Sequence, residues 1–562
     1  MPDSDVGVFA RDLLDWYAEF SPPFATQLGI HEYDHLLPDG TYAARITERR
    51  KVREFLRRLE RIDPARLSPS KRIDYGVLRN TLRLYAFYGE EFPTWRSFPD
   101  GPENAAEALF PLFMRDFAPL SKRLESITAR LEATPRYVED TKGRVKEPVK
   151  IWCEIGLEST EHVPGFYQGI EAAGREILPS ADAGRLREAV AKATEAAAGY
   201  GRWIRKTLLP KAKPKFGLGA TNFRKLVRLR ELGLTVDEVY AIGKKYLRES
   251  KKELARLAGE IKPGATLEEA REIVKSDHPP DFGGAVAYTA QAMEDSKRFV
   301  LERRLASIPP NEELKVSETP EYLRHLIPFA AYNSPARFEP RQQGIYIVTT
   351  YPDKPEMLRE FGYAHVRNTA IHEGYPGHHL QLTCANLNPS LARAFGHAVE
   401  TIEGWAHYCE DMMKGAGFSA DPATKFVQVT DQIWRACRIL IDVDLHTGRM
   451  TFDEAVEFLV RESGMERRGA VAEVKRYTFN PGYQLSYLVG KHLIQQLKKD
   501  VKRGLGEDYS DRLFHDTFLY AGSLPMKYMR QVFDQKIRDL RKVRRTVRGA
   551  LRPRTSGARS IP

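Results

Sequence analysis

The chain has 562 residues, 42% of them hydrophobic and 29% charged, and a formal net charge of +11. This is the composition of a globular protein with a large buried core, and it excludes a fibrous or low-complexity chain. No apolar run approaches the roughly 20 residues that cross a bilayer, which excludes a helical membrane span and a membrane partner.

The opening stretch "MPDSDVGVFARDLLDWYAEF" carries acids where a secretory leader carries a basic segment, so the expected location is cytoplasmic. Beyond it, apolar residues recur at three- and four-residue spacing in "VREFLRRLERI", "SKRLESITARLEAT", "LREAVAKATEAAAGYGRWI" and "VDEVYAIGKKYLRESKKELARLAGEI". That periodicity predicts amphipathic helices. The breaks near 98–104, 209–219, 262–266, 277–284 and 308–313 are short and rich in Pro or Gly, and none is long enough to be an interdomain linker. The expected fold is mainly α, with a single helical catalytic domain over 1–535, in one lobe or two, followed by a basic helix and tail at 536–562. Cys153, Cys384, Cys409 and Cys437 are widely spaced and predict buried thiols, not a disulfide framework or a zinc knuckle.

One segment departs from the helical pattern. In "PFAAYNSPARFEPRQQGIYIVTTY" (328–351) a turn-rich stretch precedes a β-branched and aromatic run, which predicts a small hairpin or sheet. Its place shortly before a histidine-rich motif suggests an edge strand at 344–350, with Tyr346 and Val348, that holds a substrate backbone by main-chain hydrogen bonds.

Six of the fourteen histidines, His365, His372, His378, His379, His397 and His407, fall between 365 and 407. A hydrolytic zinc site needs three protein ligands, an open position and a carboxylate to take a proton from water. "HEGYPGHH" (372–379) supplies His372 and Glu373, but Pro376 occupies the place where a second histidine one turn on would stand. On a regular helix His379 lies within about 20° of His372 and His378 about 120° away. Pro376 between Gly374 and Gly377 makes a regular helix untenable, and a bulge absorbing two residues would return His378 instead. Both remain candidates on the residues alone. "ETIEGWAHYCEDMM" then offers Glu403 as the third ligand, with Glu410 or Asp411 to orient a ligand histidine.

"HEGYPGHHLQ" with "EGWAHYCE", together with "PPFATQLGIHEYDHLLPD" and "PGYQLSYLVGK", resembles the bacterial domain-of-unknown-function family 885, regarded as related to gluzincin-type zinc metallopeptidases. The chain is more distantly similar to the carboxypeptidase Taq family at "GHHL" (377–380), at Glu403 with Glu410, and at "GYQLSYLVG" (482–490). This second resemblance implies His378 as the second ligand, with His379 as alternate, and Tyr487 or Tyr483 as donor to an oxyanion; His407 is a further candidate donor. It also implies a large helical, metallopeptidase-like fold with a cleft between lobes. The expected activity is zinc-dependent hydrolysis of a peptide or small amide, by a carboxypeptidase or oligopeptidase mode.

The charge is concentrated at the end. From Lys536 to Arg559 ten basic residues face one acid, Asp539, a local net of +9 out of +11. A tail of this kind is the only nucleic-acid feature in the chain, and with no aromatic residues interleaved it is expected to be a solvated terminal helix. Oligomeric state is not legible.

Overall fold

The computed structural model describes residues 2–319 and 330–550. The described residues form α-helices and a single three-stranded sheet. The stretch read as a long amphipathic helix is the helix Val236–Ile261, opened by a capping box in which Thr235 and Glu238 satisfy each other's backbone amides. Its partner is Pro422–Thr447, started by the Asp421 side chain with Pro422 in the first turn and stopped by Gly448 at φ 78°. The largest buried apolar cluster takes in Ile73 and Val77 near one end of the chain and Met529 and Phe533 near the other, with Trp405, Leu488 and Ile494 between.

Two helices set the position of the site. Val399–Gly415 crosses Ser486–Leu505 at a point where each carries a glycine. A Cβ on Gly404 would meet the Gly490 backbone at 2.5 Å, and one on Gly490 would lie 2.1 Å from the Glu400 carbonyl. The two backbones therefore touch, and side chains one turn to either side are carried into a common space.

The sheet has the order β1 (Glu312–Glu318), β3 (Gln342–Val348), β2 (Ala330–Asn333). β2 and β3 form the expected antiparallel hairpin, while β1 runs parallel to β3 on its other side. β1 escapes a sequence reading because "EELKVSE" is rich in residues depleted from strands, as suits a charged edge. Its presence corrects the role expected for the 344–350 strand. Tyr346 pairs with both Val316 and Tyr332, and Val348 with both Glu318 and Ala330. With both edges of β3 in use and both side chains buried, neither residue can hold an extended substrate.

No helix among the described residues is long and apolar enough to cross a membrane. All four cysteines are buried and unpaired, as expected. The basic end begins as part of the helix Met526–Ala550, anchored by Met529 and Phe533, with Arg544 paired to Glu507 and Asp508. The remainder of the tail, 551–562, lies outside the described residues.

Burial holds the imidazoles of His446 and His515 at about 4, below the ordinary value for histidine. Both are uncharged in the folded protein at neutral pH, whereas the unfolded chain protonates them near 6.5. Between those values the unfolded state binds more protons, so stability falls as pH drops from about 6.5 toward 4. Thermal midpoints recorded from pH 7.5 to pH 4 should decline across this interval, and a flat profile would contradict the burial of neutral rings.

Candidate metal centre

The "HEGYPGHH" segment departs from a regular helix at each of its unusual residues. The helix Tyr363–Thr369 widens into a π-type turn over Ala370–Gly374, the Tyr375–Pro376 peptide is cis, and a new helix begins at His378. Gly377 permits the fold-back, since a Cβ there would lie 1.9 Å from the His372 carbonyl oxygen and 2.3 Å from that of Ile371. The result brings His378 over His372, with ring centroids 4.8 Å apart and planes at 87°. His379, about 100° further round the helix, turns away. Its Nε2 lies 2.6 Å from Glu312 Oε2 and its Nδ1 3.0 Å from the Tyr332 hydroxyl. Of the two alternatives His378 faces the cluster and His379 does not, because Glu312 and Tyr332 hold both of its nitrogens.

Glu403 closes the triangle. Its Oε2 is 3.3 Å from His378 Nε2 and 4.0 Å from His372 Nε2. Ligands bound tetrahedrally at about 2.0–2.1 Å stand roughly 3.3 Å from one another, so the His378–Glu403 separation has the spacing of two donors on one small cation and the His372–Glu403 separation is wider. His372, Glu373 and His378 each place a ligand atom within a common 4.8 Å. Among the described residues no side chain hydrogen-bonds the Glu373 carboxylate, which leaves it uncommitted beside the two imidazoles.

Charge favours a cation here. Burial pushes the Glu403 carboxyl up, but His378, His372 and the Tyr483 hydroxyl outweigh it and hold the group at about 2. Glu410, wholly buried, is likewise held well below the carboxylate range against its desolvation by His407 and His372. Its Oε1 is 2.7 Å from His372 Nδ1, and the same ring has its Nε2 toward Glu403. Asn368 links Glu410 to Asp431, and Lys414 donates to Asn368 from behind. Carboxylates that orient metal-bound histidines are worth 10- to 100-fold in affinity. If the cluster holds zinc, Glu410→Gln should weaken its binding by about that factor in a competition titration with a chromophoric chelator, with the fold retained.

Two expected roles are not met. Asp411, one residue past Glu410 and so on another face of its helix, pairs with Lys491 at 2.7 Å and accepts from Gln428 and Gln495 instead of supporting a histidine. His407 is fully buried, 3.3 Å from Glu410 Oε1, with neither ring nitrogen aimed at a hydrogen-bond partner. It lies behind the ligand shell and cannot donate to an oxyanion. Tyr483 and Tyr487 do reach the site. Tyr483 donates to Glu403 Oε1 at 2.7 Å, and the Tyr487 ring lies 6.0 Å from it, with Arg435 and Arg438 over that ring at 5.7 and 4.7 Å.

The supporting residues missed by sequence reading are distant in the chain. Glu312 of β1 accepts from Tyr375 at 2.5 Å and His379 and pairs with Lys297 at 2.7 Å, tying the turn to the sheet. Burial raises its carboxyl, yet these partners keep it at about 2. Asp442 accepts the backbone amides of Gly482 and Leu485, and Arg230 pairs with Glu400 at 2.6 Å while donating to the Gly482 carbonyl and Ser486. Together they clamp the loop that carries Tyr483. None has a local motif; only the apolar setting of Asp442 in "RILIDVDLH" marks one of them out.

Residues 22–533 match the family described as bacterial protein of unknown function (DUF885), and the chain belongs to that family. No curated protein matches it. Two solved structures share the fold, each described as a putative lipoprotein. The one from Shewanella oneidensis is 23% identical with a TM-score of 0.75, covering 93% of this chain and 98% of its own. The one from Colwellia psychrerythraea is 17% identical with a TM-score of 0.79, covering 96% and 100%.

Proposed function

We propose that the chain is a zinc-dependent hydrolase of peptide bonds acting on short peptides. The observation that carries this reading is the meeting of His372, His378 and Glu403, from separate helices, beside the uncommitted carboxylate of Glu373. A structural zinc site closes all four positions with protein ligands; three ligands with a free carboxylate alongside are the arrangement of a hydrolytic one. His372, His378 and Glu403 would hold the metal, which supplies Lewis acidity: it acidifies a water and polarises a carbonyl.

The remaining work falls to this chain's own groups. Glu373 takes the proton from the attacking water and returns it to the leaving amine, the two proton transfers that amide cleavage needs. Glu410 keeps His372 in the tautomer that leaves Nε2 free. Tyr483 is committed to Glu403, so Tyr487 is the phenol left to donate to the developing oxyanion. A carboxypeptidase mode is the first expectation for the cleavage pattern and an oligopeptidase mode the second.

Protein purified without chelator should carry close to one zinc per chain and cut a mixed library of short peptides; chelation should abolish cleavage and added zinc restore it. Stoichiometric zinc with no cleavage of any peptide would redirect the reading to a non-peptide amide, and an intact fold without metal affinity would end it. The description of the two structural neighbours as lipoproteins favours an envelope location over the cytoplasm, which fractionation of host cells decides.

A further inference from the structure

A cavity of about 280 Å3 lies between the helix Pro69–Glu90 and the N-terminal end of Val399–Gly415. Tyr483 forms part of its wall, and the hydroxyl of the same side chain reaches Glu403 at 2.7 Å. Tyr483 thus borders both the cavity and the ligand cluster. Most of the wall is apolar or aromatic: Val77, Leu84, Tyr85, Tyr88, Phe395 and Pro525.

The one ion pair on the wall does not call for a charged ligand. Arg230 and Glu400 neutralise each other at 2.6 Å, and the remaining guanidinium nitrogens are bonded to the Gly482 carbonyl and to Ser486. Asn80 is likewise occupied, donating to the Leu229 carbonyl. Thr81 donates to the Phe395 carbonyl, and burial lowers the pKa of the His397 imidazole, so that ring is uncharged at neutral pH; an anion finds no free cation here, and a cation no free carboxylate. Size limits the occupant further. Clefts that take whole drug-sized ligands run from roughly 300 to 1,000 Å3, whereas an apolar cavity of roughly 150 Å3 already holds a benzene ring. The space suits one large side chain.

We propose that this cavity is the specificity pocket of the enzyme, taking the aromatic or large aliphatic side chain of a substrate residue next to the scissile bond. The proposal rests on the hydrolase reading above and adds the substrate class to it: peptides with Phe, Tyr, Leu or a similar residue at the cleavage point. With Tyr483 at the border of both spaces, that side chain lies on the α-helical wall formed by Pro69–Glu90 while the peptide bond lies against Glu373 and the ligands.

The test uses the full-length, zinc-loaded protein and peptides that differ only in the residues on either side of the bond: Phe, Leu, Ala or Asp. At one of the two positions kcat/KM for Phe or Leu should exceed that for Ala by tenfold or more, with Asp poorest, because a well-filled apolar pocket discriminates by about 10- to 200-fold per methylene group. Leu84→Trp, which fills the cavity, should bring the Phe to Ala ratio toward unity, with zinc content and melting checked against wild type. A second readout is binding of N-acetylphenylalanine amide to Glu373→Gln by calorimetry, lost when Leu84→Trp is added. Equal rates for Phe and Ala at both positions, or an unchanged ratio in Leu84→Trp, would overturn the pocket and leave the hydrolase reading standing. No cleavage of any peptide by wild type would overturn both.

Discussion

On the hydrolase reading proposed above, Glu373→Gln should lower peptide hydrolysis by about 10²- to 10⁴-fold, the usual contribution of a positioned proton-transfer group, and leave zinc bound. The glutamine amide has nearly the shape of the carboxylate but cannot accept a proton, so both transfers assigned to Glu373 are lost. At about 1.36 kcal/mol per decade the barrier rises by roughly 3–5 kcal/mol. Metal content is unaffected because His372, His378 and Glu403 remain, with His378 and Glu403 still 3.3 Å apart. The decisive measurement pairs zinc content with initial rates on one good peptide. Retained zinc with unchanged rates would remove Glu373 from the chemistry; lost zinc would make it a ligand.

Gly377→Ala has an effect of similar size through the backbone. The added methyl would lie 1.9 Å from the His372 carbonyl and 2.3 Å from that of Ile371. Neither atom belongs to a flexible side chain, so the turn itself must open. Overpacking of this kind costs about 1–3 kcal/mol and can cost more. The displacement falls on the segment that folds His378 back over His372, so zinc affinity should drop far more than global stability. Equilibrium zinc titration beside thermal unfolding separates the two. A variant that binds zinc like wild type would show that the turn tolerates the methyl and that the tight approach is not required.

The helical class and the four quoted helical stretches were legible, because a 3.6-residue apolar period and capping residues such as Thr235 with Glu238 act locally. The residues that meet in the cluster were legible for the same reason, His372 and Glu373 within one turn and Glu403 on the next long helix. The choice between His378 and His379 was not open to helix geometry, since it depends on where Glu312 and Tyr332 stand, and those come from a sheet whose first strand has no strand-like composition. Asp411 and His407 failed for a related reason. Adjacent positions on one helix look equivalent in sequence, yet only Glu410 points at His372, while Asp411 meets Lys491 and His407 is sealed behind the ligands.

The backbone contact between Gly404 and Gly490 has a consequence for the order of events during biosynthesis. It joins Glu403 to Tyr483 and Tyr487, residues made long after His372. At about 5–20 residues per second, some 6–23 seconds separate the appearance of His372 from that of Tyr487 on the ribosome. The nascent chain carries its imidazoles through that interval without the helix that completes their surroundings, so the full polar cluster belongs to the finished polypeptide and not to the growing one.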